Sequence, residues 1–290
     1  MTNAGRLPAE RVVVDPAARR EAVLAVIRGA RSKLVLSLFR CNDRAIFDAL
    51  TEASGRGVAV EVLMTSRARG GKAKQRKLWD ALEATGAVVR AHSDPVVKYH
   101  AKYMVADDGP AVVASLNFTR KCFRKTVDAL VITYDPAVVT GLQDLMHADR
   151  EDRAIPDHLS MRLIVGPERA RRQLTEIIEQ AQSSIRLIDA KVSDPALCAL
   201  LRARRTAGLN VELFEAKRIN GLRSHGKLML VDDTLAVIGG LSLNALSLDF
   251  RREVALVVDD LAVIADLRRL FESIGPPDAV NVPAQVDHPC

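Results

Sequence analysis

Aromatic residues are scarce, 4% of the 290 positions with a single Trp, so few side chains are available as stacking platforms for nucleic-acid bases. Cysteine is also sparse. Cys41, Cys122, Cys198 and Cys290 are scattered, with no CxxC pair and no Cys/His cluster at metal-ligand spacing, which argues against a zinc site or a disulfide framework and for reduced thiols. No apolar run is long enough to span a bilayer: the longest charge-free stretch, Thr234–Leu248, is short and carries Ser and Asn. The opening residues, MTNAGRLPAERVVVDP, lack the apolar stretch of a secretory leader, so the expected location is the cytoplasm. What remains is an ordinary globular composition, 48% hydrophobic and 27% charged, with a modest basic excess of 42 − 36 = +6. That excess favours an anionic partner without choosing among nucleic acid, an anionic lipid surface and a phosphorylated small molecule.

Self-comparison reveals a repeat. Val12-Val13-Val14-Asp15-Pro16, a helical run to Ala30 and Ser32–Leu36 recur 151 residues later as Leu163–Pro167, a helical run to Ala181 and Ser183–Leu187. The same offset carries Gly57–Val62 onto Gly208–Leu213. Each copy therefore reads strand, helix, strand, helix, strand, with helices expected to start at Pro16 and Pro167. This predicts an α/β protein of two homologous units, each a mostly mixed sheet flanked by helices. The expected units are residues 1–150 and 151–274, joined by a polar connector near Asp149–Ser160 and followed by a Pro-rich, extended tail, 275–290. After Leu63 the offset falls to 125, because the first copy carries 26 extra residues before His100: a basic loop, Ser66–Lys77, then an amphipathic helix around Leu78, Trp79 and Leu82.

At the new offset the polar residues agree. His100-Ala-Lys102, Asp107, Ser115, Asn117 and Asp128 answer to His225-Gly-Lys227, Asp232, Gly240, Ser242 and Glu253. A repeat preserved only for packing would not keep its polar positions. On a strand, His100, Lys102 and Met104 would share one face, as would His225, Lys227 and Met229. An ammonium can grip an anionic oxygen while a neutral imidazole attacks phosphorus or moves a proton.

The doubled HxKxxxxD pattern, its downstream Ser-x-Asn and acid, and the duplication itself resemble the phospholipase D superfamily over most of the chain. The resemblance implies a pseudo-twofold fold with one active site at the junction of the copies. It implies that one of His100 and His225 becomes a phosphohistidine, with His100 favoured, while the other protonates the leaving oxygen. Lys102 and Lys227 would bind the phosphoryl oxygens with Ser115, Asn117 and Ser242; Asn244 is an alternative donor to Ser242. Asp128 and Glu253 would orient the rings, and Asp107 and Asp232, the motif acids, would give structural support rather than carry protons. No metal or other cofactor is implied. The copy-two sequence Gly239-Gly240 departs from the Ser form and is found in cardiolipin-synthase-like members.

The expected reaction is hydrolysis or transfer of a phosphodiester, with phospholipid favoured by the Gly-Gly form and the few aromatics. A metal-independent nuclease is the alternative, supported by the Ser66–Lys77 loop and by Arg120, Lys121, Arg124 and Lys125 after the first motif. A silent phosphate-binding module is a third reading, opposed by intact HxK pairs in both copies. The segment Leu246–Phe250 is a candidate peripheral contact with a lipid surface, and His92, His147, His158 and His288 have no counterpart in the other copy and are assigned no role.

Overall fold

Two sheets of matching strand order form the molecule, one from each copy. The structure is a computed structural model that describes residues 10–66, 71–215 and 218–274. The first copy runs β1 (Glu10–Val13), α1 (Arg19–Gly29), β2 (Lys33–Leu38), α2 (Arg44–Gly55), β3 (Ala59–Thr65), α3 (Lys72–Glu83), β4 (Val88–His92), β5 (Lys98–Tyr99), β6 (Tyr103–Ala106), β7 (Ala111–Ala114), α4 (Arg120–Arg124), β8 (Thr126–Val127), β9 (Leu130–Thr133) and α5 (Pro136–Arg150). The second runs β10 (Leu163–Val165), α6 (Ala170–Gln180), β11 (Ser184–Ile188), α7 (Pro195–Thr206), β12 (Asn210–Phe214), β13 (Arg218–Ile219), β14 (Leu222–Ser224), β15 (Leu228–Val231), β16 (Leu235–Gly239), α8 (Ala245–Phe250), β17 (Arg251–Arg252), β18 (Val254–Val258) and α9 (Leu261–Ser273).

The first sheet is ordered β1-β9-β7-β6-β2-β3-β4 and the second β10-β18-β16-β15-β11-β12. They are the same sheet except for β4, which the 26-residue insertion adds in parallel to β3. Within each sheet β2–β3 and β11–β12 are parallel and the rest of the common core is antiparallel, as a mixed sheet requires. The insertion also corrects the expected loop at Ser66–Lys77: its second half is already helix α3, and residues 67–70 lie outside the described residues, as does the 275–290 tail.

Helix starts follow side-chain capping more than proline. Asp43, Asp135, Asp194 and Asp260 each accept a hydrogen bond from the first turn of the helix that follows. Proline at the first helical position occurs at Pro136 and Pro195, whereas Pro16 and Pro167 stand three residues ahead of α1 and α6.

Three layers of apolar packing result. On the outer sides, α1 and α2 cover the first sheet and α6 and α7 the second. Between the sheets, Tyr103, Val105 and Val131 of one meet Leu228, Leu230 and Ile238 of the other, with α5 and α9 filling the remaining space. Each such side chain contributes about 1.5–3 kcal/mol by burial, so separating the halves would expose an entire core. A buried polar link crosses the same junction. Buried Arg252 donates to buried Asp149 at 2.8 Å and, at the surface end of the link, to the exposed Glu168 at 2.8 Å. Asp149, expected at the start of the polar connector, is therefore buried near the end of α5. No helix among the described residues is long and apolar enough to cross a membrane.

Candidate active site

Two short strand pairs join the copies, and they build the site. β5 of the first copy runs parallel to β17 of the second, pairing Lys98 with Arg251 and Tyr99 with Arg252. At the matched place β14 of the second copy runs parallel to β8 of the first, pairing Arg223 with Thr126 and Ser224 with Val127. One residue beyond each register, His100 meets Glu253 and His225 meets Asp128. The His100 amide donates to the Arg252 carbonyl at 2.9 Å, and the Gly226 amide to that of Val127 at 2.6 Å. A side chain at Gly226 would strike the Val127 carbonyl at 2.7 Å, so this crossing needs glycine. The HxK segments thus leave the central sheets before β6 and β15 begin, and they are not strand residues as the period-two reading expects. Pairing with the opposite copy takes the His100 and Gly226 amides instead, while the Lys102 carbonyl accepts from Ala114 of its own sheet at 3.0 Å.

Each imidazole is consequently held by the acid of the other half. Nδ1 of His225 lies 3.0 and 3.2 Å from the two Asp128 oxygens, and Nδ1 of His100 contacts Glu253 Oε1. Both acids are fully buried. Hydrogen bonding through Nδ1 leaves Nε2 of each ring for chemistry, and both rings line one cavity of about 550 Å³. Burial, then the Lys102 ammonium, holds the His100 ring far below its ordinary range, at about 3, against the opposing pull of Glu253. The ring is therefore neutral near pH 7. Lys102 Nζ also lies 3.1 Å from His100 Nδ1, but the Glu253 contact fixes the proton on that nitrogen, so the lysine acts there through space. Burial pushes both acids up. The facing rings, the lysines and hydroxyl donors outweigh it, holding Asp128 and Glu253 below their usual values.

The remaining expected residues divide. Lys227 lines the cavity, its Nζ bonded to the His225 carbonyl at 2.7 Å. Lys102 does not line it; it is buried behind His100, donates to that residue's carbonyl and approaches the Phe39 ring, and burial brings its ammonium down to about 7. Asn117 lines the cavity with a buried side-chain oxygen that has no partner among the described residues. Ser115 is a correction: its hydroxyl donates to Asp128 at 2.7 Å, and Thr126 adds a second bond at 2.5 Å, so it braces the acid instead of facing substrate.

In the second copy Gly240 leaves no such hydroxyl, and Ser247 of α8 donates to Glu253 in its stead. Ser242 reaches the cavity wall but gives its hydroxyl to Asp189 at 2.7 Å. Asn244 also lines the cavity; its oxygen caps α8 at Ser247, which leaves the amide nitrogen as the donor on this side. The motif acids lie elsewhere. Asp107 accepts from the amides of Arg31, Ser32 and Lys33 and from the Ser32 hydroxyl, and Asp232 accepts from Gln182, Ser183 and Ser184 in the same way. Each ties the turn after the motif strand to the strand beside it, so their place is structural.

Several wall residues escape a reading of the motifs. Arg40 and Lys191, and Lys98 and Arg223, line the cavity as pairs related by the 151 and 125 offsets, together with Arg251. Aligning all cations between the copies would have found the pairs. Of the expected basic cluster only Lys121 reaches the wall, while Arg120, Arg124 and Lys125 are exposed. Among the described residues Asp189 is the one acid of the wall, and it has no counterpart in the first copy, where Leu38 takes its place. Burial raises its carboxyl, against Lys227 and the Ser242 hydroxyl.

A duplicated sheet with two crossed acid–imidazole pairs at one cation-lined cavity defines the phospholipase D superfamily, and the chain belongs to it. The family model described as "Cardiolipin synthase, PLD-like domain" matches residues 23–150 and 191–274. Among curated proteins, cardiolipin synthase A of Pseudomonas putida strain F1 is 28% identical over 127 residues, 44% of this chain. That of Pseudomonas entomophila is 29% identical over 125 residues, 43% of this chain. Each match spans 26% of the relative's own length. Among solved structures, polyphosphate kinase of Porphyromonas gingivalis aligns over 91% of this chain and 46% of its own, with TM-score 0.76 at 18% identity. Phosphatidylserine synthase of Haemophilus influenzae aligns over 91% and 86%, with TM-score 0.67 at 12% identity. These two likenesses show the shared fold.

Proposed function

We propose that the chain is a phosphodiesterase or phosphatidyltransferase that works through a covalent phosphohistidine, with phospholipid as substrate. The observation that carries the reading is the pair of imidazoles, one from each half, lining one cation-rich cavity with their Nδ1 atoms held by buried carboxylates, which leaves each Nε2 for the reaction. His100, neutral through burial, attacks phosphorus through Nε2, and the bond from phosphorus to the leaving alcohol breaks. His225, protonated, gives its Nε2 proton to that alcohol. Water or an acceptor alcohol then loses a proton to His225 and attacks, breaking the N–P bond and restoring His100. Lys227, Asn117 and the Asn244 amide donate to the phosphoryl oxygens, and Lys102 adds positive charge from behind His100. Charge-assisted hydrogen bonds of this kind contribute roughly 1.5–3 kcal/mol each.

Phospholipid is favoured by the chain's likeness to proteins named cardiolipin synthase A and phosphatidylserine synthase, and by the edge of the cavity. There α8, capped by the wall residue Asn244, exposes Leu246 at 60% and Phe250 at 48%, a pair suited to a lipid surface. The cations of the wall favour the second reading, a nuclease. The deciding experiment offers labelled phospholipid vesicles and labelled single- and double-stranded nucleic acid side by side, with acid quench. Turnover of lipid with label retained on His100 is expected. Turnover of nucleic acid alone, with a steep salt dependence, selects the second reading, and label on a residue other than a histidine overturns the mechanism.

A further inference from the structure

The two acid–imidazole pairs differ in the side chain placed beside them. In the second half Ser247 stands next to Glu253 and donates to it. At the matched position, 125 residues earlier, the first half carries Cys122. Cys122 is buried on the cavity wall, and its sulfur, an Asp128 oxygen and a His225 ring nitrogen all lie within 4.8 Å of one another. A thiol is a weak hydrogen-bond donor but, once deprotonated, a strong ligand for soft cations. The half that braces its acid with Ser115 and Thr126 does not use the sulfur for that task, and the thiol meets the Thr119 hydroxyl and the Asn117 backbone instead.

We propose that Cys122, Asp128 and His225 form an inhibitory site for a thiophilic divalent cation such as Zn²⁺, entered from the catalytic cavity. Inhibition, as distinct from binding, rests on the two-histidine mechanism above. Bonds of about 2.0–2.2 Å to N and O and 2.3 Å to S put tetrahedral ligand atoms about 3.4–3.6 Å apart, so His225 Nδ1 and Asp128, at 3.0 Å, need only a small parting. The metal takes the place of the proton between them. The Nδ1 proton and the thiol proton both leave to solvent, Nε2 keeps its own, and the dication is matched by one thiolate and one carboxylate. His225 is then locked in the Nε2–H tautomer with its carboxylate partner diverted, so it can neither cycle a proton nor accept one from the incoming nucleophile. Lys227, Lys121 and Arg223 on the same wall repel cations held by charge alone. Selectivity follows: a metal whose bonds to sulfur and imidazole carry the binding enters, and Mg²⁺ does not.

The second half supplies the control residue. Ser occupies this helical position at Ser247, so Cys122→Ser should fold, and Cys122→Ala is a second variant should it not. Cd²⁺ and Zn²⁺ are titrated into full-length protein while turnover and the ultraviolet sulfur-to-metal charge-transfer band of Cd²⁺ are followed, each variant being referred to its own metal-free rate. Wild type is expected to show the band, to be inhibited reversibly by either metal and to ignore Mg²⁺. Cys122→Ser should lose the band and raise the inhibiting concentration at least tenfold, and Asp128→Asn should weaken the band. Equal inhibition in wild type and both Cys122 variants, or no band in wild type, overturns the site. A band that disappears in Cys122→Ser although the protein turns over no phosphodiester supports the metal site while refuting the reaction, so the two failures are distinguishable.

Discussion

Asp128 and Glu253 perform one task in two settings. Asp128 receives two hydroxyl bonds, from Ser115 in its own motif and from Thr126, and stands beside a thiol. Glu253 is one methylene longer, has glycine where Ser115 would be, and draws its single hydroxyl bond from α8. Their rings differ as well: His100 is packed edge-on against Phe39 with a lysine behind it, whereas His225 is more open, its side chain 30% exposed against 16%. A duplicated scaffold has thus kept the position of each carboxylate against the opposite imidazole and let everything behind it vary. The fixed part is what backbone pairing across the halves enforces; the variable part is the support. The more buried, neutral ring suits a nucleophile, and the half-buried, more open one suits the acid and base, so the asymmetry favours unequal roles for two residues with the same motif.

The largest effect tests that inequality. His100→Ala and His225→Ala should each lower turnover on a natural substrate by about 10³-fold or more. On a substrate whose leaving group needs no proton, such as a nitrophenyl phosphodiester, the first step should recover in His225→Ala, seen as a labelled protein, and remain absent in His100→Ala. Recovery in His100→Ala instead would exchange the roles; recovery in neither would show that the halves are not divided in this way.

A smaller effect tests the support. Ser247→Ala should cost about tenfold or more in turnover, since a hydrogen bond to a charged group contributes about 1.5–3 kcal/mol and Glu253 has no second hydroxyl donor among the described residues. Ser115→Ala should cost less, because Thr126 still holds Asp128. The second half can then be rebuilt after the first. A side chain at Gly240 meets only ordinary contacts at 3.7–3.8 Å, one of them the Glu253 Cβ, so Gly240→Ser should recover part of the loss in Ser247→Ala. If the double variant is no better than the single one, the serine of the first motif and that of α8 are not interchangeable supports.

How much of this was legible follows the same division. The offsets of 151 and 125 exposed the duplicated strand and helix order and the two imidazoles, because apolar periodicity and matched polar spacing are written locally. The crossing of the acids was not, since the β5–β17 and β14–β8 pairs are two residues long and carry no pattern of their own. Ser115 looked like a phosphate donor because its spacing matched, but spacing does not say which way a hydroxyl turns. Asp189 and Ser247 were invisible for the opposite reason: each exists in one copy alone, and comparison of copies finds only what is shared. Asp149 was misplaced because a carboxylate near a chain of charges reads as solvated until its partner, Arg252, is found 103 residues away.

The last difference is between the lysines, and it should show in pH. Burial brings the Lys102 ammonium from its ordinary 10.5 down to about 7, and Lys227 and Arg251 push the same way against Glu253. Below pH 7 both folded and unfolded chains hold that proton. Between about 7 and 10.5 the folded chain has released it while the unfolded chain has not, so the unfolded state binds more protons and this group's contribution to stability rises with pH. Activity should move the other way, because the released ammonium is the charge that offsets the phosphoryl oxygens. For the free enzyme kcat/KM should fall by about fivefold from pH 7 to pH 8, as a single site titrating near 7 requires, while the melting temperature rises or holds. Lys102→Met should remove both trends together with most of the activity, whereas Lys227→Met should lower activity and leave the rise in stability. A kcat/KM that stays level to pH 9 would mean that the bound network keeps Lys102 charged, and that the two lysines, unlike the two acids, are equivalent after all.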